Sequence, residues 1–224
     1  MTRTKLKDRQ LPDYTRGEEI FNMVSHIVGG GFGVIALATC VLKGFLYGNA
    51  WDITGAFIYG ISMIVLYTMS SIYHGLKPPM AKKVFQVMDH CTIFILIAGT
   101  YTPIMLSAVC PVKPFMGWAV IGFVWGLSAL GIVLNAIDLK KYSRLSMLLY
   151  LLLGWCIVFT GKSAVEAVGS DGMLWILMGG ISYTVGAVFY AVGGRSLRYM
   201  HSVFHLFVVI GSILQYFGII FYVI

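Results

Sequence analysis

Residues 201–224 read HSVFHLFVVIGSILQYFGIIFYVI, a run without a single lysine, arginine, aspartate or glutamate. As a helix rising 1.5 Å per residue it is long enough to cross a hydrocarbon core of about 30 Å. Six earlier runs of the same kind cover approximately Ile20–Tyr47, Ile53–Leu76, Val84–Val109, Phe115–Ala136, Leu145–Gly161 and Met173–Gly193. The fifth is the shortest and extends toward Val168 as an interfacial helix. The chain is 58% hydrophobic and 11% charged. Its apolar residues come in runs rather than in alternation, which points to helices and away from a membrane β-barrel. The expectation is an all-α, seven-transmembrane-helix bundle, with a polar tail over residues 1–19 and one membrane domain over 20–224. No connection is large enough to fold alone, and no repeat of fixed period is present.

The formal charge of +7 reflects loops rather than a nucleic-acid surface. Thirteen of the sixteen basic residues fall in the N-terminal tail, the 2–3 connection, the 4–5 connection (Asp138–Ser143, with Arg144 directly after it) and the 6–7 connection, which holds Arg195 and Arg198. Lys43, Lys113 and Lys162 alone occupy the other side. That bias places the N-terminus in the cytoplasm and, after seven crossings, the C-terminus outside. The polar opening of the chain is not a cleavable signal peptide, and Thr2 stands where myristoylation needs glycine. Cys40, Cys91, Cys110 and Cys156 are scattered, without a CxxC pair, and read as small buried residues.

With this topology the costliest polar groups gather at one membrane face. His74 closes span two, Asp89 opens span three, and His201 and His205 open span seven. An imidazole at membrane depth marks a functional site by default. His201 and His205 are one helical turn apart and can converge on one ion, or sit as two interfacial histidines in headgroup water. With His74 they make three neutral imidazoles, a donor set that suits zinc and leaves one position open. Asp89 can orient or deprotonate water at such an ion, ligate it directly, or pair with Lys82 or Lys83. Ser70, one turn deeper than His74, can steady a developing oxyanion or bond back to a helix carbonyl. Glu19, Asn22 and His26 line one stripe of span one, as supports for the ligands or as helix cap and interhelical glue. His26 is a further ligand candidate and His90 a weaker one. Gly29-Gly30-Gly31 with Gly33 reads as close helix packing, and Gly99–Pro103 as a kink.

Glu19-x-x-Asn22-x-x-x-His26, Ser70-x-x-x-His74, Asp89-His90, Gly99–Pro103 and His201-x-x-x-His205 occur in the order that resembles the haemolysin III family. This is the bacterial branch of the progestin and adipoQ receptor family, and the resemblance covers about residues 18–224. It implies a multi-pass protein of the bacterial inner membrane with zinc near the cytoplasmic face, held by His74, His201 and His205. Asp89 would hold the water on that zinc, with Ser70 nearby. The wider superfamily includes alkaline ceramidases, which implies a hydrolase of a membrane lipid amide or ester or a lipid-homeostasis factor. The alternatives are a receptor-like regulator with structural zinc and a cytolytic membrane protein. Membrane lipid is the expected partner and nucleic acid is not, while the oligomeric state stays open.

Overall fold

The structure, a computed structural model, describes residues 3–193 and 197–224. Arg195 and its neighbours 194 and 196, with Met1 and Thr2, lie outside the described residues. Everything regular among the described residues is helical, and six helical segments are long and apolar enough to cross a membrane.

Helix α1 spans Arg16–Tyr47, α2 Ala50–Gly75 and α3 Pro79–Pro103. Helix α1 starts inside the stretch expected as tail, because Thr15 and Glu18 form a capping box: Glu18 N–H donates to Thr15 Oγ1 at 3.2 Å, and Thr15 N–H donates to Glu18 Oε2 at 2.8 Å. Asn49 and Asp52 cap α2 in the same way. Pro79 opens α3 at a position where its missing N–H is not needed. At the other end Pro103 cannot donate, and the chain widens into a π turn over Ile104–Val109. The kink expected at Gly99–Pro103 takes this form.

Helix α4 covers Pro114–Gly154, followed by a 3-10 turn at Cys156–Thr160; α5 is Lys162–Gly193 and α6 Met200–Tyr222. A straight α4 would be about 60 Å long, twice a hydrocarbon core. It is not straight. Asp138 leaves helical geometry, with φ −157° and ψ 91°. Beyond it the chain turns back, so that Ser146 Oγ donates to Asn135 Oδ1 at 2.6 Å and Asn135 Nδ2 to Tyr150 Oη at 3.1 Å. Residues eleven and fifteen apart cannot meet on one straight helix. The connection expected over Asp138–Ser143 is therefore a single residue. Asp138 Oδ1 accepts from Lys141 N–H at 3.2 Å and restarts the helix at once. Gly169, at φ 74°, breaks α5 after Val168, near where the interfacial segment was expected to end.

Helix pairs α1–α2, α2–α3, α3–α4 and α5–α6 pack closely, and α6 closes the bundle against α1. Small residues set the α1–α2 distance: a Cβ on Gly60 would lie 2.6 Å from the Leu37 Cα, and one on Gly29 2.7 Å from the Tyr67 ring. Inside, Ser212 Oγ of α6 accepts from Tyr67 Oη of α2 at 2.8 Å and bonds Tyr183 Oη of α5 at 2.9 Å. The returning half of α4 stands off α5, and a cavity opens between them.

Gly60→Ala pushes backbone against backbone and is expected to cost about 1–3 kcal/mol. Gly122→Ala meets nothing within 4 Å and should leave stability unchanged or slightly raised. Thermal unfolding of the two variants in detergent checks the contrast.

Candidate metal centre

Two helix ends bring three histidines together at one end of the bundle. His74 is the penultimate residue of α2, and His201 and His205 lie on the first turns of α6. One ring nitrogen from each of the three falls within 4.8 Å of the other two. His201 Nε2 and His205 Nε2 are 3.0 Å apart. Two nitrogens on a tetrahedral zinc at ordinary bond lengths stand about 3.3 Å apart, so the pair needs little adjustment to share an ion. His74 Nδ1 is 2.6 Å from Glu19 Oε2. That contact places the Nδ1–H on the carboxylate and leaves Nε2 as the donor, the carboxylate–histidine arrangement common behind bound metals. His74 Nε2 is buried without a protein partner. These features fit a divalent cation.

Glu19 is itself held. Lys82 Nζ lies 2.9 Å from its Oε1, and the same ammonium donates to the carbonyls of Tyr73 at 2.9 Å and Leu76 at 3.3 Å. Those carbonyls end α2, where a cation complements the helix dipole. Lys82 thus ties α3 to α1 and α2. It does not pair with Asp89, and Lys83 donates to the Lys7 carbonyl instead.

Near the histidines, two hydrogen bonds fix the start of α6 against α1. Glu18 Oε1 accepts from the Tyr199 N–H at 2.8 Å, and Tyr199 holds a left-handed φ of 61° at the start of the helix. Ser202 Oγ donates to Asn22 Oδ1 at 2.7 Å. Both flank His201 in sequence, so they set where its ring points. His26 stacks on His205 with ring centroids 3.7 Å apart and meets Tyr67 edge-on. It is not one of the three converging donors, and both of its ring nitrogens are buried without a protein partner.

Asp89 stands outside the three-nitrogen cluster, with Oδ2 3.6 Å from His90 Nδ1. Direct ligation and the lysine pairings are therefore not what this structure places there. His90 Nδ1 lies 2.9 Å from the Gln86 carbonyl, a contact that leaves Nε2 as the free nitrogen. Ser70 is fully buried and its hydroxyl has no protein partner, whereas Ser71 bonds back to the Tyr67 carbonyl at 2.7 Å. The back-bonding alternative belongs to the neighbour. Cys91 packs toward the Ile132 carbonyl and carries no site contact.

A cavity of about 390 Å³ begins at Asp89, His201 and His205 and follows α6 past Phe204 and Val208 to Gln215. Fourteen residues of helix span about 21 Å. Beyond the polar end its walls are mainly apolar.

Tyr14 was not singled out in the sequence. Its ring stacks on His201 at 5.0 Å and 17°, and lies 5.8 Å from His74. Burial pushes its hydroxyl well above the usual tyrosine range, with nearby Tyr190 and Asp89 adding to the effect, so it stays neutral. Thr15-x-x-Glu18 is a readable capping box, but nothing in a polar tail marks the aromatic before it as a site residue. The sequence marks Lys82 as a topology signal and a candidate partner of Asp89, whereas its partners come from two other helices.

The fold and the site define a multi-pass helical membrane protein with an internal three-histidine centre that can hold a metal ion. The family model described as "Haemolysin-III related" matches residues 14–216, and the chain belongs to that family. It is 34% identical over 209 residues to the "Hemolysin-3 homolog" of Bacillus subtilis (strain 168), covering 93% of this chain and 96% of that one. It is 34% identical over 206 residues to "Hemolysin-3" of Bacillus cereus, with 92% of each covered. It is also similar to the human "Monocyte to macrophage differentiation factor", at 26% identity over 196 residues, 83% of this chain and 77% of that one. The membership and the six apolar helices make it a multi-pass protein of the bacterial cell membrane.

Replacing His205 by Ala is expected to abolish metal binding by the purified protein, read as metal content per chain. Glu19→Gln, which keeps the size of the side chain but weakens its hold on His74, should lower metal affinity about 10–100-fold in a chelator competition.

Proposed function

We propose that the protein is a zinc-dependent hydrolase acting on a membrane lipid amide or ester. The observation that carries this reading is the meeting of three histidine donors with the mouth of a long apolar cavity. Three imidazoles favour zinc over the oxygen-seeking magnesium and calcium. Such an ion, when bound, polarises a carbonyl and makes water nucleophilic near neutral pH.

The remaining roles fall to the chain. Apolar walls hold the acyl tail and exclude bulk water, so the scissile carbonyl lies at the polar end. The Asp89 carboxylate lines that end and takes the proton of the attacking water, then returns it to the leaving amine or alcohol. Ser70 Oγ, buried and unpaired, supplies a donor for the developing oxyanion. Glu19 keeps His74 in one tautomer. A purely structural zinc site would close its coordination with a fourth side chain. Among the described residues no fourth histidine, cysteine or carboxylate joins the cluster, which favours catalysis over the receptor-like alternative.

The same reading places this end of the bundle at the cytoplasmic leaflet. Contacts of Arg3, Lys7, Lys83 and Arg198 gather basic residues there, while Lys43 and Lys113 lie at the opposite end. With α4 folded back at Asp138, the chain crosses seven times and ends outside.

Two measurements test these statements. A transition-metal chelator is expected to abolish hydrolysis of a fluorogenic acyl-amide lipid, and Asp89→Asn to lower its rate about 10²–10⁴-fold. Chelator-insensitive turnover, or identical lipid profiles in cells carrying wild type and His205→Ala, would remove the hydrolase reading. For topology, single cysteines at Lys113 and Lys140 in a Cys110→Ser background are treated with a membrane-impermeant thiol reagent on intact cells. Labelling at 113 alone is expected, and labelling at 140 reverses the orientation.

A further inference from the structure

Residues 3–15 form a strap across the polar end of the bundle. At its start, the Arg3 Nε and Arg9 Nη2 donate to the Ile137 carbonyl at 2.9 and 3.3 Å, and the Thr4 N–H donates to Asp138 Oδ2 at 2.7 Å. Midway, Lys83 Nζ donates to the Lys7 carbonyl at 2.6 Å, and later Arg198 Nη1 donates to the Asp13 carbonyl at 3.2 Å. The strap ends on Tyr14, whose ring covers His201, and Thr15 then caps α1.

We propose that this strap is the door through which a divalent cation reaches and leaves the three histidines. Tyr14 is its leaf, Ile137–Asp138 its latch and the Thr15 cap its hinge. The inference rests on the metal-site reading above.

The argument is one of exclusion and of local stability. A hydrated divalent cation cannot travel through apolar surroundings without losing solvation that nothing there replaces. The cavity that leads away from the histidines along α6 has mainly apolar walls, and the Arg144 guanidinium, which repels a cation, lines its polar end beside Ser143, so it suits acyl chains better than ions. Tyr73, His26 and Phe204 pack around the histidine rings from the helix side. The face under Tyr14 opens toward the charged connections without passing the Arg144 guanidinium. The strap is also the segment best suited to move. Its only regular piece is the three-residue turn Leu6–Asp8, and none of its apolar side chains is fully buried, Tyr14 being half-buried against His201. It is held by a few hydrogen bonds, three of them exposed and the two at Asp138 and Arg9 half-buried, which suits local opening at modest cost. Helix α1 begins beyond it and stays packed when it lifts.

A door alters barriers and not end states. Loosening it should speed metal uptake and release by the same factor, leaving the dissociation constant unchanged. The test uses the full chain in detergent, loaded with zinc alone. Release into excess colorimetric chelator and uptake by the stripped protein are timed separately. Tyr14→Ala removes an aromatic stack, and both rates should rise about three- to tenfold. Tyr14→Phe retains the stack and should match wild type. Thr4→Pro deletes the N–H bonded to Asp138, far from the histidines, and should also speed both rates. Unchanged rates in Tyr14→Ala and Thr4→Pro, with zinc still bound, overturn the door while sparing the metal site. Weakened affinity without faster uptake overturns it too, and assigns Tyr14 to positioning His201. A wild-type protein that takes up no zinc removes the metal site itself, and the door with it.

Discussion

The centre depends on a carboxylate shared between an imidazole and an ammonium. Glu19 receives His74 on one oxygen, at 2.6 Å, and Lys82 on the other, at 2.9 Å. Each group would be costly to bury alone in this setting. Together they satisfy one another, and they belong to three different helices. Lys82 also answers the orphan carbonyls at the end of α2, so the same ammonium secures the helix that carries His74. Removing Glu19 would leave a buried lysine beside a histidine free to turn. The geometry of the metal donors is thus inherited from an ion pair one layer behind them.

Around that core, small residues decide how close the helices come, and polar contacts decide their register. Gly29 admits the Tyr67 ring, Tyr67 reaches Ser212 on α6, and His26 one turn away from Gly29 stacks on His205. A side chain at Gly29 would displace Tyr67, and with it both the link to α6 and the edge that His26 rests on. Packing in the bundle interior is in this way coupled to ring positions at its end.

Much of this was legible in the order of residues. Long apolar runs have one solution in a membrane, so the helices and their approximate limits could be read directly. The one-turn spacing of His201 and His205, and of Ser70 and His74, exposed the faces that meet. What escaped was tertiary. Asp138 reverses α4 without proline or glycine, by capping its own next turn, and so a loop was expected where one residue suffices. Lys82 looked like another basic loop residue because its carboxylate partner is 63 positions earlier. Asp89 was offered lysine partners by proximity in sequence, but those lysines are committed to Glu19 and to the Lys7 carbonyl. Tyr14 had no periodicity to betray it, since a strap has none.

The position of the centre along the helices bears on what it can act upon. His74 is next to the last residue of α2 and His201 next to the first of α6, so the donors lie at the limit of the apolar segments. The cavity then runs about 21 Å along α6, somewhat more than half of a 30 Å hydrocarbon core. In a lipid the polar linkage lies at that same boundary and the acyl chains extend to the midplane. A soluble substrate would need no such apolar channel, and a pore would need it to be wet from end to end. The cavity is lined by the returning half of α4 on one side and α5 on the other, so a lipid chain entering between them would reach it from the bilayer without crossing water. Ion and lipid would then arrive by separate routes matched to their solvation, one from the charged end and one from the side.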